Sequence, residues 1–287
     1  MAAERRRFRF VQWEFPGRLG PDPGRYVVRR FAGDDARQVV IIAGLEAPRR
    51  RRLAGRRAVR AEAGAGPPPV EVTRATVIST DPLPDDDRSA RQWLAGAAGE
   101  QALQTVAEAL RLLNLAVHGH RLAAADPYVA EVGSHQAIAV RVGYGSGEQV
   151  ADGRWEAASE LPPAEHKGAR LASSPQERLG ALLSGRDVAL ACEELALRAR
   201  LDLDQGRGRE AALQARAALE TAIAELEGWR GNGAIAVRID ELAEHVEPLA
   251  AAAAAALKGG LQPAELAAVE TALGRLEAAL RARSAAS

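Results

Sequence analysis

Six of the eleven aromatic side chains (Phe8, Phe10, Trp13, Phe15, Tyr26 and Phe31) lie before position 32, and the long remainder is rich in alanine and leucine. One uniform core cannot accommodate that division. Aromatic and β-branched residues suit a pleated, half-buried surface, whereas alanine-rich faces suit close packing of helices. The chain is therefore expected to be α+β, with a small antiparallel N-terminal sheet, a central helix with a short β-hairpin element, and a C-terminal antiparallel helical bundle.

Periodicity places the elements. In RFRFVQWEF, Phe8, Phe10 and Gln12 alternate with Arg9, Val11 and Trp13, the period-two pattern of a strand. RYVVRRF, RQVVIIAGL and VEVTRATVIST supply three more strands, separated by turn-forming glycine, proline and aspartate. Asp85, Asp86 and Asp87 stand where a carboxylate caps a helix. From Glu100 onward Leu103, Val106, Leu110, Leu113 and Val117 recur at helical spacing, predicting a helix that ends near Gly119. Ala137 to Tyr144 reads as a strand, with Asp152-Gly153 as a type I′ turn behind it. Beyond Ser174 the pattern is helical. Gln205-Gly206-Arg207-Gly208 joins an antiparallel helix pair, and Pro248 interrupts a later helix. These readings give a basic β-rich region over residues 1–80, a central region over 81–170 and a helical bundle over 171–287.

The net charge of zero conceals a division. Residues 1–80 hold seventeen arginines and eight acidic groups, while the rest holds twenty-one basic and thirty acidic groups. Such asymmetry points to an anionic partner, nucleic acid or acidic protein, or to attraction between the two parts of the chain. The basic charge peaks in an Arg-rich loop over 48–69, at Arg49, Arg50, Arg51, Arg52, Arg56, Arg57 and Arg60, which would contact phosphates by counterion release. Arginine is used nearly everywhere here, since the chain has only two lysines, Lys167 and Lys258.

Cys192 is the only cysteine, which excludes an internal disulfide. The longest apolar run, Leu249 to Leu257, is nine residues where a membrane-spanning helix needs about 20. With no signal-peptide pattern at the start, the expected location is cytoplasmic.

Few motifs suggest chemistry. His118-Gly119-His120 does not have metal-site spacing, because residues two apart on a helix diverge by about 200°. No metal or cofactor is implied. Tyr144, Ser146, Glu148 and Trp155 surround a glycine-rich turn and are candidates to line a ligand pocket. Cys192 has Glu193 and Glu194 beside it, which disfavours a thiolate. Arg238 and His245 are seven residues apart, a spacing that puts an anion-holding cation and a proton-transfer group on one helix face. The same spacing recurs at Arg111 and His118. The helical region from Ser174 to Ser287 is similar in outline to HEPN-type bundles, helical domains that often dimerise. In some members an arginine and histidine at such spacing act as a ribonuclease. That resemblance makes Arg238 and His245 the catalytic candidates of an alternative reading, a HEPN-like ribonuclease. The leading expectation is a non-enzymatic interaction or assembly protein, its basic head contacting an anionic partner and its helices mediating protein interaction or homodimerisation.

Overall fold

The computed structural model describes residues 6–29, 33–45, 71–162 and 175–286. The chain divides into two compact units, Met1–His166 and Lys167–Ser287. The architecture is α+β, as the two hydrophobic patterns predict.

Unit 1 contains one six-stranded antiparallel sheet. Its strands are β1 (Phe8–Pro16), β2 (Gly24–Val28), β3 (Gln38–Leu45), β4 (Val72–Pro82), β5 (Ala139–Gly145) and β6 (Ala157–Leu161), in the order β2-β3-β4-β1-β5-β6. The β element predicted behind the central helix is thus part of the N-terminal sheet: Trp13 of β1 lies opposite Ala75 of β4 on one side and Val140 of β5 on the other. Both faces of β1 are covered, which explains its unbroken buried run from Phe10 to Trp13. Val11, Trp13 and Phe15 join the core that includes Leu113 and Val117, while Phe10 packs with Val150 and Trp155 on the other face. Gln12, fully buried on that second face, donates from Nε2 to Thr76 Oγ1 at 2.9 Å and also approaches the carbonyls of Val150 and Ala151.

The β5–β6 connection is not a type I′ hairpin. It is a 3₁₀ segment, Gly147–Asp152, closed by Gly153 at φ 83°. Burial of Val150 and Ala151 against the sheet favours this longer excursion over a two-residue turn.

Helix α1 (Asp87–Ala98) begins where the aspartates predict, with Asp86 accepting from the Ser89 amide at 2.7 Å. Helix α2 (Ala102–Ala124) runs through Gly119 instead of ending there. A glycine inside a helix costs only about 1 kcal/mol, less than the buried face of Leu113 and Val117 supplies. The helix ends at Ala125, left-handed at φ 51°, where the Asp126 amide reaches back to the Arg121 carbonyl. Asn114 then anchors the following chain through paired 3.0 Å bonds to the Val132 backbone.

Unit 2 contains α3 (Pro175–Leu183), α4 (Ala191–Asp204), α5 (Gly208–Leu226), α6 (Gly233–Ala243), α7 (Val246–Leu257) and α8 (Pro263–Ala286). The tight turn at Gly206, φ 76°, folds α4 onto α5 as predicted. Helix α5 is central, touching α4, α6, α7 and α8 through a face of alanines with Leu219 and Leu226. Pro248 does not interrupt a helix. It lies in the first turn of α7, where its missing N–H costs nothing, and the break falls at Glu244-His245.

Candidate functional site

The residues that the sequence grouped as a pocket occupy different surroundings. Tyr144 is buried among Leu83, Ala90, Trp93 and Leu94. Trp155 stacks on Phe10 with ring centroids 5.6 Å apart. Phe10 faces Gly143 across the strands while Tyr144 faces Arg9, so the alternation of β5 puts Tyr144 and Trp155 on opposite faces of the sheet. Ser146 donates to Glu156 at 2.9 Å, and Glu148 holds Arg25 at 2.7 Å.

Arg238 belongs to α6 and pairs with Glu241 at 2.9 Å, whereas His245 follows the end of that helix and immediately precedes α7. A shared helix face, the basis for grouping them, is therefore interrupted between the two. The His118 Nδ1 lies 3.5 Å from Glu131, and the His120 ring packs against Gly20, so the two imidazoles diverge. Among the described residues no cluster of three metal-ligating groups occurs. Arg49, Arg50, Arg51, Arg52, Arg56, Arg57 and Arg60 lie outside the described residues.

The arrangement with most chemical content is a cleft in unit 2 that no sequence motif marks. It is built at the α3–α4 connection, SGRDVAL. Gly185, at φ 71°, ends α3, and the Arg186 amide reaches back to the Ala181 carbonyl at 2.9 Å. The chain then presents Asp187, whose carboxylate accepts from the Val188 amide at 2.7 Å. Arg178 from α3 joins Asp187 and Glu193, and Arg283 from the last turns of α8 joins the same two carboxylates. Arg283 is 1% exposed, donates to the Val188 carbonyl at 2.9 Å, and stacks 5.0 Å from the Trp229 ring centroid. Gly185, Arg186, Asp187, Val188, Trp229 and Arg283 line an open cleft of about 350 Å³.

The electrostatics follow from this geometry. Burial pushes the Asp187 carboxyl up, but the Val188 amide, Arg283 and Arg178 outweigh it and hold the group below the usual aspartate range. Glu225 caps the start of α4, accepting from the Ala191 and Cys192 amides at 3.0 Å each. Burial opposes its ionisation, yet these amides hold it below the usual glutamate range. Cys192 is pushed up to about 12, first by burial and then by Glu225, so it is a thiol and not a nucleophile.

Both depressed carboxylates contribute stability that is present above their unfolded pKa values and lost as pH falls through the folded ones. Unit 2 should therefore lose stability progressively below the ordinary glutamate value of 4.5. Glu225→Gln should be less stable than wild type at neutral pH and show a smaller further loss in acid. Urea midpoints measured from neutral pH to pH 3 test this, and parallel curves for the two proteins would contradict it.

The buried acid and bases of the cleft are already joined to one another. The sequence reading missed this cleft, and Trp229, an isolated tryptophan within an alanine-rich segment, is the one signal that could have marked it. No protein-family model, curated protein or solved structure matches this chain.

Proposed function

We propose that this chain is a non-enzymatic interaction or assembly protein, in which the arginine-rich segment contacts an anionic partner and the helical unit mediates protein interaction or self-association. The observation that carries the reading is the distribution of charge within unit 1. Four arginines in or next to the sheet are engaged by carboxylates of the same unit: Arg7 by Asp87 and Glu156, Arg25 by Glu148, Arg74 and Arg141 by Glu14. Residues 46–70 carry seven arginines and two glutamates, whereas the rest of residues 1–166 carries sixteen arginines and nineteen acidic groups. The positive excess of the unit thus resides in that segment. β3 and β4, the strands that flank this segment in the sequence, pair at Leu45 and Val72. Nucleic acid is the first partner to test and an acidic protein the second.

Nuclease-treated protein should bind labelled RNA or duplex DNA with steep salt dependence. If all seven arginines contact duplex phosphates, the slope of log K against log salt is about −6. Replacing Arg49 to Arg52, Arg56, Arg57 and Arg60 by Gln should flatten it. Absence of binding at low salt would refute nucleic-acid contact and direct the search to acidic proteins, and an unchanged slope would refute contact through these arginines. RNA shortened by wild type but not by His245→Ala would replace this reading with the ribonuclease one.

A further inference from the structure

We propose that the cleft beside Trp229 binds a small aromatic carboxylate. Its volume of about 350 Å³ lies at the low end of small-molecule sites, which span about 300–1,000 Å³, and admits a single-ring molecule. The floor is preformed. Asp187 and Arg283 are fixed by Arg178, Glu193 and the Val188 carbonyl, so they brace Trp229 and offer little hydrogen-bonding capacity to a ligand. What remains for recognition is a small apolar patch within a mostly polar lining, and one cation. The Trp229 ring is only partly buried, and Val188 is 55% exposed beside it. Arg283 covers the Trp229 ring from one side, and the part of the ring left exposed, with Val188, is the apolar surface that an aromatic ring would meet.

Arg186 supplies the charge. Its Nε is tethered to Ser184 Oγ at 3.0 Å, and among the described residues no carboxylate pairs with it. This contrasts with Arg178, Arg200, Arg207, Arg230 and Arg283 of the same unit, each held by an acid. A guanidinium at the rim, whose remaining N–H groups meet no acceptor among the described residues, favours a carboxylate over a neutral amide. Gly185 leaves the rim open, since nothing lies within 4 Å of where its side chain would be. The inference is independent of the anionic partner proposed for the N-terminal unit.

The test is titration of the full chain with 3-phenylpropionate and, separately, with its primary amide, followed by NMR of the Trp229 indole N–H. That signal is assigned by its loss in Trp229→Phe. The acid should saturate at millimolar concentration and shift the Trp229 signal, with the amide about tenfold weaker, the ratio that one charge-assisted hydrogen bond of about 1.4 kcal/mol supplies. Arg186→Gln, a change at an exposed side chain, should weaken the acid by a similar factor and leave the amide unchanged. Equal binding of acid and amide, indifference to Arg186→Gln, or no saturable shift at Trp229 would overturn the proposal.

Discussion

Arg283→Met is expected to destabilise the helical unit by about 3 kcal/mol, at the lower end of the range for removing one partner from a buried ionic network. The side chain is 1% exposed and serves Asp187, Glu193 and the Val188 carbonyl while covering Trp229. Methionine preserves much of the volume but leaves two carboxylates with one fewer cation. The loss is held to the low end because Arg178 still engages both acids and the Val188 and Leu190 amides still donate to them. Arg283→Lys should be nearly as harmful, because an ammonium cannot reproduce a planar fork that reaches two acids and stacks on an indole. Urea unfolding gives the free energy, and hydrogen exchange in the last turns of α8 shows where it acts. A loss below about 1 kcal/mol would mean that the network contributes little to holding α8 in place.

Trp13→Ala should cost the N-terminal unit about 3–5 kcal/mol, the range for emptying a tryptophan site in a core. Trp13 is 0% exposed and sits in β1 with strands on both sides. The small side chain of Ala75 opposite it leaves room for the indole, and Leu113 and Val117 belong to the same core. The indole N–H also donates to Ser134 Oγ at 3.2 Å, which ties the chain after α2 to the sheet. Trp13→Phe should retain most of the packing and lose that bond, for a cost of about 1–2 kcal/mol. Denaturant unfolding together with amide exchange in β1 and β4 measures both. Equal effects of the two substitutions would show that the hydrogen bond, and not the ring volume, dominates.

Local pattern made most elements legible. β1 was readable because aromatic residues alternate, α1 because Asp86 stands at its cap, and the α4–α5 turn because Gly206 permits positive φ. What local pattern cannot carry is pairing between distant segments, so nothing in AIAVRVGY told that it would lie beside β1. β6 is hard to see for another reason: AASEL has weak strand propensity and is held by its neighbour β5. α2 extends past Gly119 because burial on either side of a glycine outweighs its intrinsic cost, which local pattern does not register.

The cleft was less legible than the fold. Arg283 is one arginine among many in a chain with two lysines, and its burial depends on α8 returning to the start of α4. Conversely, Arg238 and His245 looked coupled only on the assumption of a continuous helix, and α6 stops at Ala243.

The strand order has a consequence for the newly made chain. β2, β3 and β4 can form neighbouring antiparallel pairs as they emerge, yet β1, which precedes them in the chain, is placed between β4 and β5. Its pairings join Trp13 to Ala75 and then to Val140, contacts of high sequence separation whose loop-closure entropy must be met before they stabilise anything. During synthesis β1 therefore remains without its second neighbour until Ala139–Gly145 has left the ribosome. Over that interval an aromatic strand has one unsatisfied edge, and shielding that edge is the point at which a nascent-chain chaperone would help this protein most.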